Sequence, residues 1–197
     1  MAAKTLNIYQ FKITLKGTKP KIWRRIQVPG NYNFWELHLA IQDAMGWEDC
    51  HLHQFEIINP KTGEKDFISV EEENEFFDDV IPGTKAKIAK YFLAAKDKSI
   101  YEYDFGDGWE HEVVLEKILP AVAGEEYPKC IAGKRACPPE DCGGVWGYED
   151  LLKVIADPNH PKYEERIKWL GDDFDPEAFD PKLIVFTDPK TRSEIGF

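Results

Sequence analysis

The sequence lacks the features of membrane-spanning, exported and disulfide-rich proteins. No apolar run approaches the roughly 18 residues that a membrane span needs. The first residues contain no apolar stretch long enough for a signal peptide. Only four cysteines occur, and no two of them form a C-x-x-C pair. We therefore expect a cytoplasmic protein with reduced thiols and no membrane partner.

Several enzyme signatures are also missing. The chain contains no serine-hydrolase elbow, no glycine-rich phosphate-binding loop and no dinucleotide fingerprint, since Gly106-Asp107-Gly108 lacks a third glycine. Basic residues number 25 against 36 acidic ones, so the formal net charge is -11. A surface of that charge repels phosphate backbones unless its basic side chains gather on one face. We expect no nucleic-acid partner.

The composition is that of a folded protein, with 43% hydrophobic and 31% charged residues, which excludes wholesale disorder. A length of 197 residues suits one domain, and no internal repeat or linker divides it. We predict a single domain over residues 1–197. It would comprise a mixed sheet with one main helix over about 1–118, a rigid irregular loop over 119–147, and short helices packed on the sheet over 148–180.

The first sixty residues predict an α+β fold. Residues 9–15 and 22–28 alternate between apolar and polar side chains, which indicates a hairpin of two half-buried strands. Apolar residues then recur at helical spacing over 34–45, and residues 52–58 return to strand periodicity. The order strand, strand, helix, strand is typical of a β-grasp-like mixed sheet.

The predicted helix has recognisable ends, with Asn33 and Glu36 as a capping box and Gly46 as the C-terminal stop. Six acidic residues among the nine from 71 to 79 predict a solvated loop or helix start, and less often a docking site for a basic partner. Further predicted elements are strands over 88–93, 100–105 and 109–118 and helices over 148–156 and 161–170.

His51 and His53 form the first candidate site. On a strand, residues two apart share a face, with side chains about 6–7 Å apart. Two imidazoles placed in this way can chelate one metal ion if a neighbouring strand supplies a third ligand. Neutral imidazole is a common ligand of zinc, iron and nickel. The alternative is that both histidines are hydrogen-bonded residues at the sheet edge.

The segment from Tyr101 to Glu112 is the densest run of aromatic, acidic and histidine residues in the chain. A turn at Gly106–Gly108 would put Tyr101, Tyr103, Phe105, Trp109, His111 and Val113 on one face and Glu102, Asp104, Glu110 and Glu112 on the other. A bulge at the turn would exchange the two faces. The acidic face is either solvated or binds a cation or a basic partner.

The candidate ligand-binding residues of this hairpin are Tyr103, Asp104, Asp107, Trp109 and His111. Two interpretations of His111 stay open from the sequence. It is either a buried, hydrogen-bonded histidine among aromatic side chains or a residue of a metal or catalytic site.

Cys130, Cys137 and Cys142 form the third candidate site. Six and four residues separate them, unlike the short paired gaps of structural zinc sites, so a zinc–thiolate site has weak support. The alternative is that the neighbouring prolines and glycines fix a rigid loop that presents Glu140 and Asp141. Two adjacent carboxylates can bind a metal ion, act as a catalytic general base or cap the helix that follows.

The chain carries two long and unusual motifs, Tyr103-Asp-Phe-Gly-Asp-Gly-Trp-Glu-His111 and Cys137-Pro-Pro-Glu-Asp-Cys-Gly-Gly144, the second followed by Gly147-Tyr148. In both motifs it resembles the plasmid pRiA4b ORF-3-like family. The resemblance extends from about Tyr9 through Asp180. It implies a protein found on plasmids and in insertion elements, brings no established chemistry, and includes a suggestion that one member is a resolvase.

The residues of this chain disfavour a resolvase or transposition accessory role. A serine recombinase needs an activated serine amid arginines and a basic DNA-binding tail, whereas only four arginines precede position 170. In the Trp23-Arg24-Arg25 strand the two arginines point to opposite faces.

Two functional hypotheses follow. A non-catalytic module would bind a protein or a small-molecule ligand through the aromatic hairpin face and the rigid loop. A metal-dependent hydrolase would hold a divalent transition metal with His51, His53 and either His111 or Asp104, and would use Glu140 or Asp141 as general base. We favour the module, because enzyme motifs are usually more complete.

Overall fold

A computed structural model describes residues 6–70, 80–171 and 174–192. The strands are β1 (Asn7–Leu15), β2 (Trp23–Pro29), β3 (His53–Ile58), β4 (Lys65–Ser69), β5 (Ile81–Pro82), β6 (Lys98–Tyr103), β7 (Trp109–Pro120) and β8 (Lys129–Lys134). The helices are α1 (Phe34–Met45), α2 (Gly144–Ile155) and α3 (Tyr163–Leu170), with short 3₁₀ helices at Ile88–Lys90 and Pro181–Leu183. Within the described ranges, no helix has the length and apolar character needed to cross a membrane.

The eight strands form one sheet in the order β5-β4-β3-β6-β7-β1-β2-β8. Neighbouring strands run antiparallel except β4 and β5, which are parallel, so the sheet is mixed. Alternating burial along β2 shows why the periodicity of residues 22–28 predicted a strand, since every second side chain enters the core. The predicted α+β class is confirmed, including the strand, strand, helix, strand order at its start.

Helix α1 lies on the buried face of the sheet and has the predicted ends. The Asn33 side chain accepts a hydrogen bond from the Glu36 amide (2.8 Å), and the Glu36 carboxylate accepts one from the Asn33 amide (2.6 Å). Gly46 ends the helix in the left-handed conformation, with φ 92°. The ring of Phe34 packs edge-on against Phe55 of β3 at 5.0 Å, which joins the helix to the sheet.

The hairpin of β6 and β7 has the predicted buried face. Tyr101 pairs with His111 and Tyr103 with Trp109, and all four side chains are buried. Two predicted positions differ. The connection spans residues 104–108 rather than three residues, so Phe105 is exposed in the turn and Asp104 leaves the acidic face to become largely buried.

Three predictions about the secondary structure are wrong. Residues 88–93 form a 3₁₀ helix and a turn rather than a strand, because Ile88 and Phe92 enter the core at a spacing of four residues. The segment 119–147 is not irregular throughout, since β7 extends into it and β8 pairs with β2. Helix α2 starts at Gly144, before the predicted position 148. The acidic run 71–79 lies outside the described residues.

Candidate functional site

Three loops meet beyond one end of the β3–β6 pair. The first precedes β3 and carries Cys50 and His51, the second is the β6–β7 turn with Asp104, and the third connects β8 to α2 and carries Glu140 and Asp141. Because β3 and β6 are neighbours in the sheet, the first two loops are held side by side. The third loop reaches them from β8, the edge strand at one end of the sheet, whereas β3 and β6 are central strands.

His51 is the centre of this arrangement. Its Nε2 atom lies 3.2 Å from Asp141 Oδ1 and 3.7 Å from Asp104 Oδ2. The Nε2 atom is shielded from solvent, yet it forms no hydrogen bond with any described residue. The side chains of His51 and Asp104 are 28% and 11% exposed, whereas Asp141 is 72% exposed, so the cluster opens to solvent on the Asp141 side.

The backbone holds Asp104 firmly in the β6–β7 turn. Its φ is 55°, in the left-handed region that Asp tolerates better than most residues. Its amide donates to the Leu52 carbonyl (2.9 Å), and its Oδ1 accepts from the Gly106 amide (2.9 Å). Only Oδ2 is therefore left to face His51. Asp141 also has a left-handed backbone, with φ 58°.

Glu140, next to Asp141, is an anchor of its loop. Its Oε1 accepts hydrogen bonds from the Tyr103 hydroxyl (2.5 Å) and the Cys50 thiol (3.6 Å), and its Oε2 accepts one from the Glu48 amide (3.1 Å). Burial, followed by the bond to Glu140, raises the pKa of Tyr103, which keeps the hydroxyl protonated. This geometry gives Glu140 a structural task, unlike the predicted role of general base.

Asp107 and two glycines join the third loop to the hairpin turn. Asp107 Oδ2 accepts a hydrogen bond from the Gly143 amide (3.1 Å), which places a carboxylate before the start of α2. A Cβ atom on Gly144 would lie 2.3 Å from the Asp107 carbonyl, and one on Gly147 would lie 1.9 Å from the Cys142 carbonyl. Gly144 and Gly147 therefore permit close backbone contacts with Asp107 and Cys142 that a residue with a Cβ atom would not allow.

His53 does not join His51, in contrast to the predicted chelating pair. Strand β3 begins only at His53, so His51 lies in the preceding loop and the two-residue periodicity does not extend to it. His53 is buried in the core, stacked on His38 with ring centroids 3.5 Å apart and an angle of 8° between the planes. Burial lowers the pKa of both His38 and His53 well below the ordinary value.

His111 and Trp109 are also core residues. The His111 ring packs edge-on against Trp47 at 5.3 Å, and its Nδ1 atom lies 3.3 Å from the Tyr101 carbonyl. Burial lowers the pKa of His111 to about 4. The predicted grouping of His111 with His51 and His53 is therefore not observed, and of the two alternatives for His111 the geometry matches the buried, hydrogen-bonded one.

The three cysteines of the predicted zinc–thiolate site do not converge either. Among the described residues, the groups whose ligand atoms lie within 4.8 Å of one another are Cys50/His51/Glu140 and His51/Asp104/Asp141. Neither group includes Cys130, Cys137 or Cys142. Burial raises the pKa of Cys142 to about 12 and also raises the pKa of Cys137, which favours the protonated thiol at both residues.

The comparisons with known proteins concern the family and the fold of the whole chain. A family model described as plasmid pRiA4b ORF-3-like protein matches residues 7–183. The chain belongs to this family.

Relatives of this family member include "Uncharacterized protein y4hQ" of Sinorhizobium fredii (strain NBRC 101917 / NGR234). It is 36% identical over 174 residues, which is 87% of this chain and 86% of that protein. A crystal structure of a protein of unknown function, MM3350 from Methanosarcina mazei Go1, is 52% identical with a TM-score of 0.87. The matched region covers 93% of this chain and 100% of the MM3350 chain. Neither description names an activity.

Proposed function

We propose that this pRiA4b ORF-3-like protein is a metal-dependent ligand-binding module, with a divalent transition-metal ion held by His51, Asp104 and Asp141. The distances from His51 Nε2 to the two carboxylate oxygens, 3.2 and 3.7 Å, carry the proposal. Two ligand atoms that coordinate one tetrahedral zinc ion are about 3.4 Å apart. The two distances from His51 are thus close to this spacing, and the ligand atoms of all three side chains lie within 4.8 Å of one another.

The hydrogen-bonding state of His51 supports a metal ion over a simple ion pair. A protonated His51 would direct its Nε2–H toward one of the two carboxylates. The Nε2 atom instead forms no hydrogen bond with either of them, although both are near. An ion between the three ligand atoms would use the nitrogen lone pair and neutralise the facing carboxylates.

The second ligand group, Cys50/His51/Glu140, is a weaker alternative. The Cys50 thiol and Tyr103 both donate to the Glu140 carboxylate. Burial and the nearby Glu140 charge raise the pKa of Cys50, which disfavours the thiolate that a metal requires. We therefore assign the ion to the two aspartates and His51. One imidazole and two carboxylates suit zinc, manganese, iron or nickel.

The first test is the metal content of protein purified without an affinity tag or chelator, by inductively coupled plasma mass spectrometry. We expect about one equivalent of a transition metal, or its uptake in calorimetric titration with zinc or manganese. His51→Ala and Asp141→Asn should lose this binding. The matched variants His160→Ala and Asp150→Asn change residues outside both ligand groups and should retain it.

Either of two results would contradict the proposed metal site. If folded wild-type protein carries no transition metal and takes up none at excess, or if His51→Ala binds as well as wild type, the site is not a metal centre. Circular dichroism of each variant establishes that the comparison concerns folded protein.

A metal-dependent hydrolase is the second candidate, favoured by the open side of the cluster at Asp141. Three protein ligands leave a coordination position for water, whose pKa a divalent ion lowers. Metal-loaded protein should then hydrolyse nitrophenyl ester or phosphate probes, and both chelation and His51→Ala should abolish the turnover. Metal binding without turnover of any probe would leave the binding module as the function.

A further inference from the structure

A second concave site lies beside the candidate metal centre, on the other side of Glu140. It is a cavity of about 420 Å³ between the C-terminal end of α1, the loop 136–140 and the end of α3. This volume is within the range of small-molecule binding sites, which often form where several elements meet. The residues that determine its chemistry are Trp47, Glu48, Pro138, Glu140, Trp169 and Phe174.

The apolar walls of this cavity are aromatic and partly fixed. Trp47 is buried, and its indole nitrogen donates a hydrogen bond to the Pro138 carbonyl (3.0 Å), which ties α1 to the loop. Phe174 is packed against the core, whereas Trp169 is 45% exposed at the edge of the cavity. Aromatic faces bind apolar groups and also attract cations through their quadrupoles.

The charge of the lining is negative. Glu48 and Glu140 are the acidic lining residues, and none of the described residues that line the cavity is Lys, Arg or His, since Arg192 donates to the Glu48 carbonyl from outside the lining. The donors that engage Glu140 are a phenol, a thiol and a backbone amide, all of which are neutral. The Glu140 carboxylate thus accepts hydrogen bonds from neutral donors alone. A cation placed in the cavity would therefore be attracted by its charge.

From these features we infer that the cavity binds a compact organic cation, an ammonium group on an apolar body. The ammonium group lies by Glu48 and Glu140, and the apolar body packs against Trp169 and Phe174. Neutral molecules of the same shape lose the charge interaction, and anions are repelled by both carboxylates. The inference does not depend on a metal ion at His51.

Calorimetric titration of chelator-treated protein tests the inference separately from the metal proposal. The probes are 2-phenylethylammonium, the neutral 2-phenylethanol and the anionic phenylacetate. We expect binding of the ammonium probe, about threefold to tenfold weaker binding of the alcohol, and no binding of the carboxylate. The same protein with zinc restored shows whether the two sites interact.

Two pairs of variants localise the binding. Glu48→Gln should weaken the ammonium probe by about threefold to fivefold while leaving the alcohol unchanged. Its control is Glu64→Gln, in a turn outside the cavity lining. Trp169→Ala should weaken both probes, whereas Trp146→Ala, at an 83% exposed residue that does not line the cavity, should weaken neither.

Three results would overturn the inference. The first is equal affinity for all three probes. The second is a loss of ammonium binding in the control variants as large as in Glu48→Gln or Trp169→Ala. The third is the absence of any heat of binding at millimolar concentrations of the ammonium probe. The Glu48 side chain forms no hydrogen bond among the described residues, so Glu48→Gln leaves the loop contacts in place. A metal-free result for the first site would leave these expectations unchanged.

Discussion

Arg24 places a guanidinium group in the interior between the sheet and the end of α1. It is only 2% exposed, and among the described residues it has no carboxylate in ion-pair contact. It donates instead to the carbonyls of Ala44 (2.8 Å), Trp23 (3.0 Å) and Lys134 (3.2 Å), and its guanidinium lies 4.1 Å from the Phe179 ring centroid. Burial lowers its pKa. One side chain thus connects β2, α1, β8 and the segment after α3.

Arg24→Ala should lower the free energy of unfolding by about 2–4 kcal/mol, because it leaves three carbonyl acceptors and a cavity behind. The neighbouring Arg25 is the control. It pairs with Glu116 on the opposite, partly exposed face of the sheet, so Arg25→Ala should cost about 1 kcal/mol or less. Urea denaturation of both variants measures the difference, and equal losses would contradict this role of Arg24.

At the scale of elements, the packing of α1 on the sheet encloses three histidines. His38 of α1 stacks on His53 of β3, and its Nε2 and Nδ1 atoms lie 2.7 Å from Asp49 Oδ1 and 2.8 Å from the Tyr101 hydroxyl. His111 of β7 completes the set. All three pKa values are lowered, with burial the largest cause. The folded state therefore binds fewer protons here than the unfolded state.

The stability should consequently fall as the pH drops below about 6.5, where the unfolded histidines take up protons and the folded ones do not. Between about pH 7.5 and 5.5 each histidine should cost about 1.4 kcal/mol. Burial raises the pKa values of Asp43 and Asp49, so the folded state takes up protons at these carboxylates more readily than the unfolded state and partly offsets the histidine effect as the pH falls.

Urea denaturation at the two pH values measures this dependence. His111→Gln should reduce the loss of stability between the two pH values by about 1.4 kcal/mol. The control His160→Ala, in the turn between α2 and α3, should leave that loss unchanged. An identical pH dependence in wild type and His111→Gln would show that His111 is not held neutral.

The elements differ in how well the sequence predicts them, and the reason is burial. Strand β2 buries every second side chain, and apolar residues alternate with polar ones over most of β1 and in the middle of β3, so the pattern is evident in the sequence. Strand β8 has no fully buried residue, so no alternation marks it. The 3₁₀ helix at Ile88–Lys90 is too short for its period to be distinguished from that of a strand.

The candidate site was only partly predictable for a different reason. The sequence indicates His51, Asp104 and Asp141 individually as chemically suitable residues, but they lie in loops whose relative placement depends on the completed sheet. No sequence pattern indicates Cys50, which lies beside Glu140, as a site residue. The predicted pairing of His51 with His53 requires both residues to lie on one strand, whereas β3 starts only at His53.

At the scale of the whole molecule, the segment after the family match is attached to the loop that carries the site. Thr187 donates to Asp43 through its amide (2.8 Å) and hydroxyl (3.1 Å). Arg192 donates to the Glu48 carbonyl (2.8 Å), and its Nε lies 3.6 Å from Asp49 Oδ2. These contacts hold the end of α1 and the loop between α1 and β3 from the outside.

Arg192→Ala should therefore loosen the loop 47–52 without unfolding the sheet. We expect faster amide hydrogen exchange in that loop and a loss of about 1 kcal/mol or less in overall stability, because Arg192 is partly exposed. Lys190→Ala, two residues away, is the control. Unchanged exchange in the loop would mean that the terminal contacts do not restrain it.

The origin of the three proposed ligand residues in distant loops has a consequence for the folding pathway. Closing loops between remote parts of a chain is slow and comes late, after local contacts have formed. The β6–β7 hairpin contains Asp104 but neither His51 nor Asp141, and the Gly143–Asp107 hydrogen bond that attaches the loop of Asp141 to this hairpin requires the later part of the chain. The protein would then bind an ion only in the last stage of folding. Absorbance or fluorescence of a metal probe, followed during refolding, would therefore report when the native state forms.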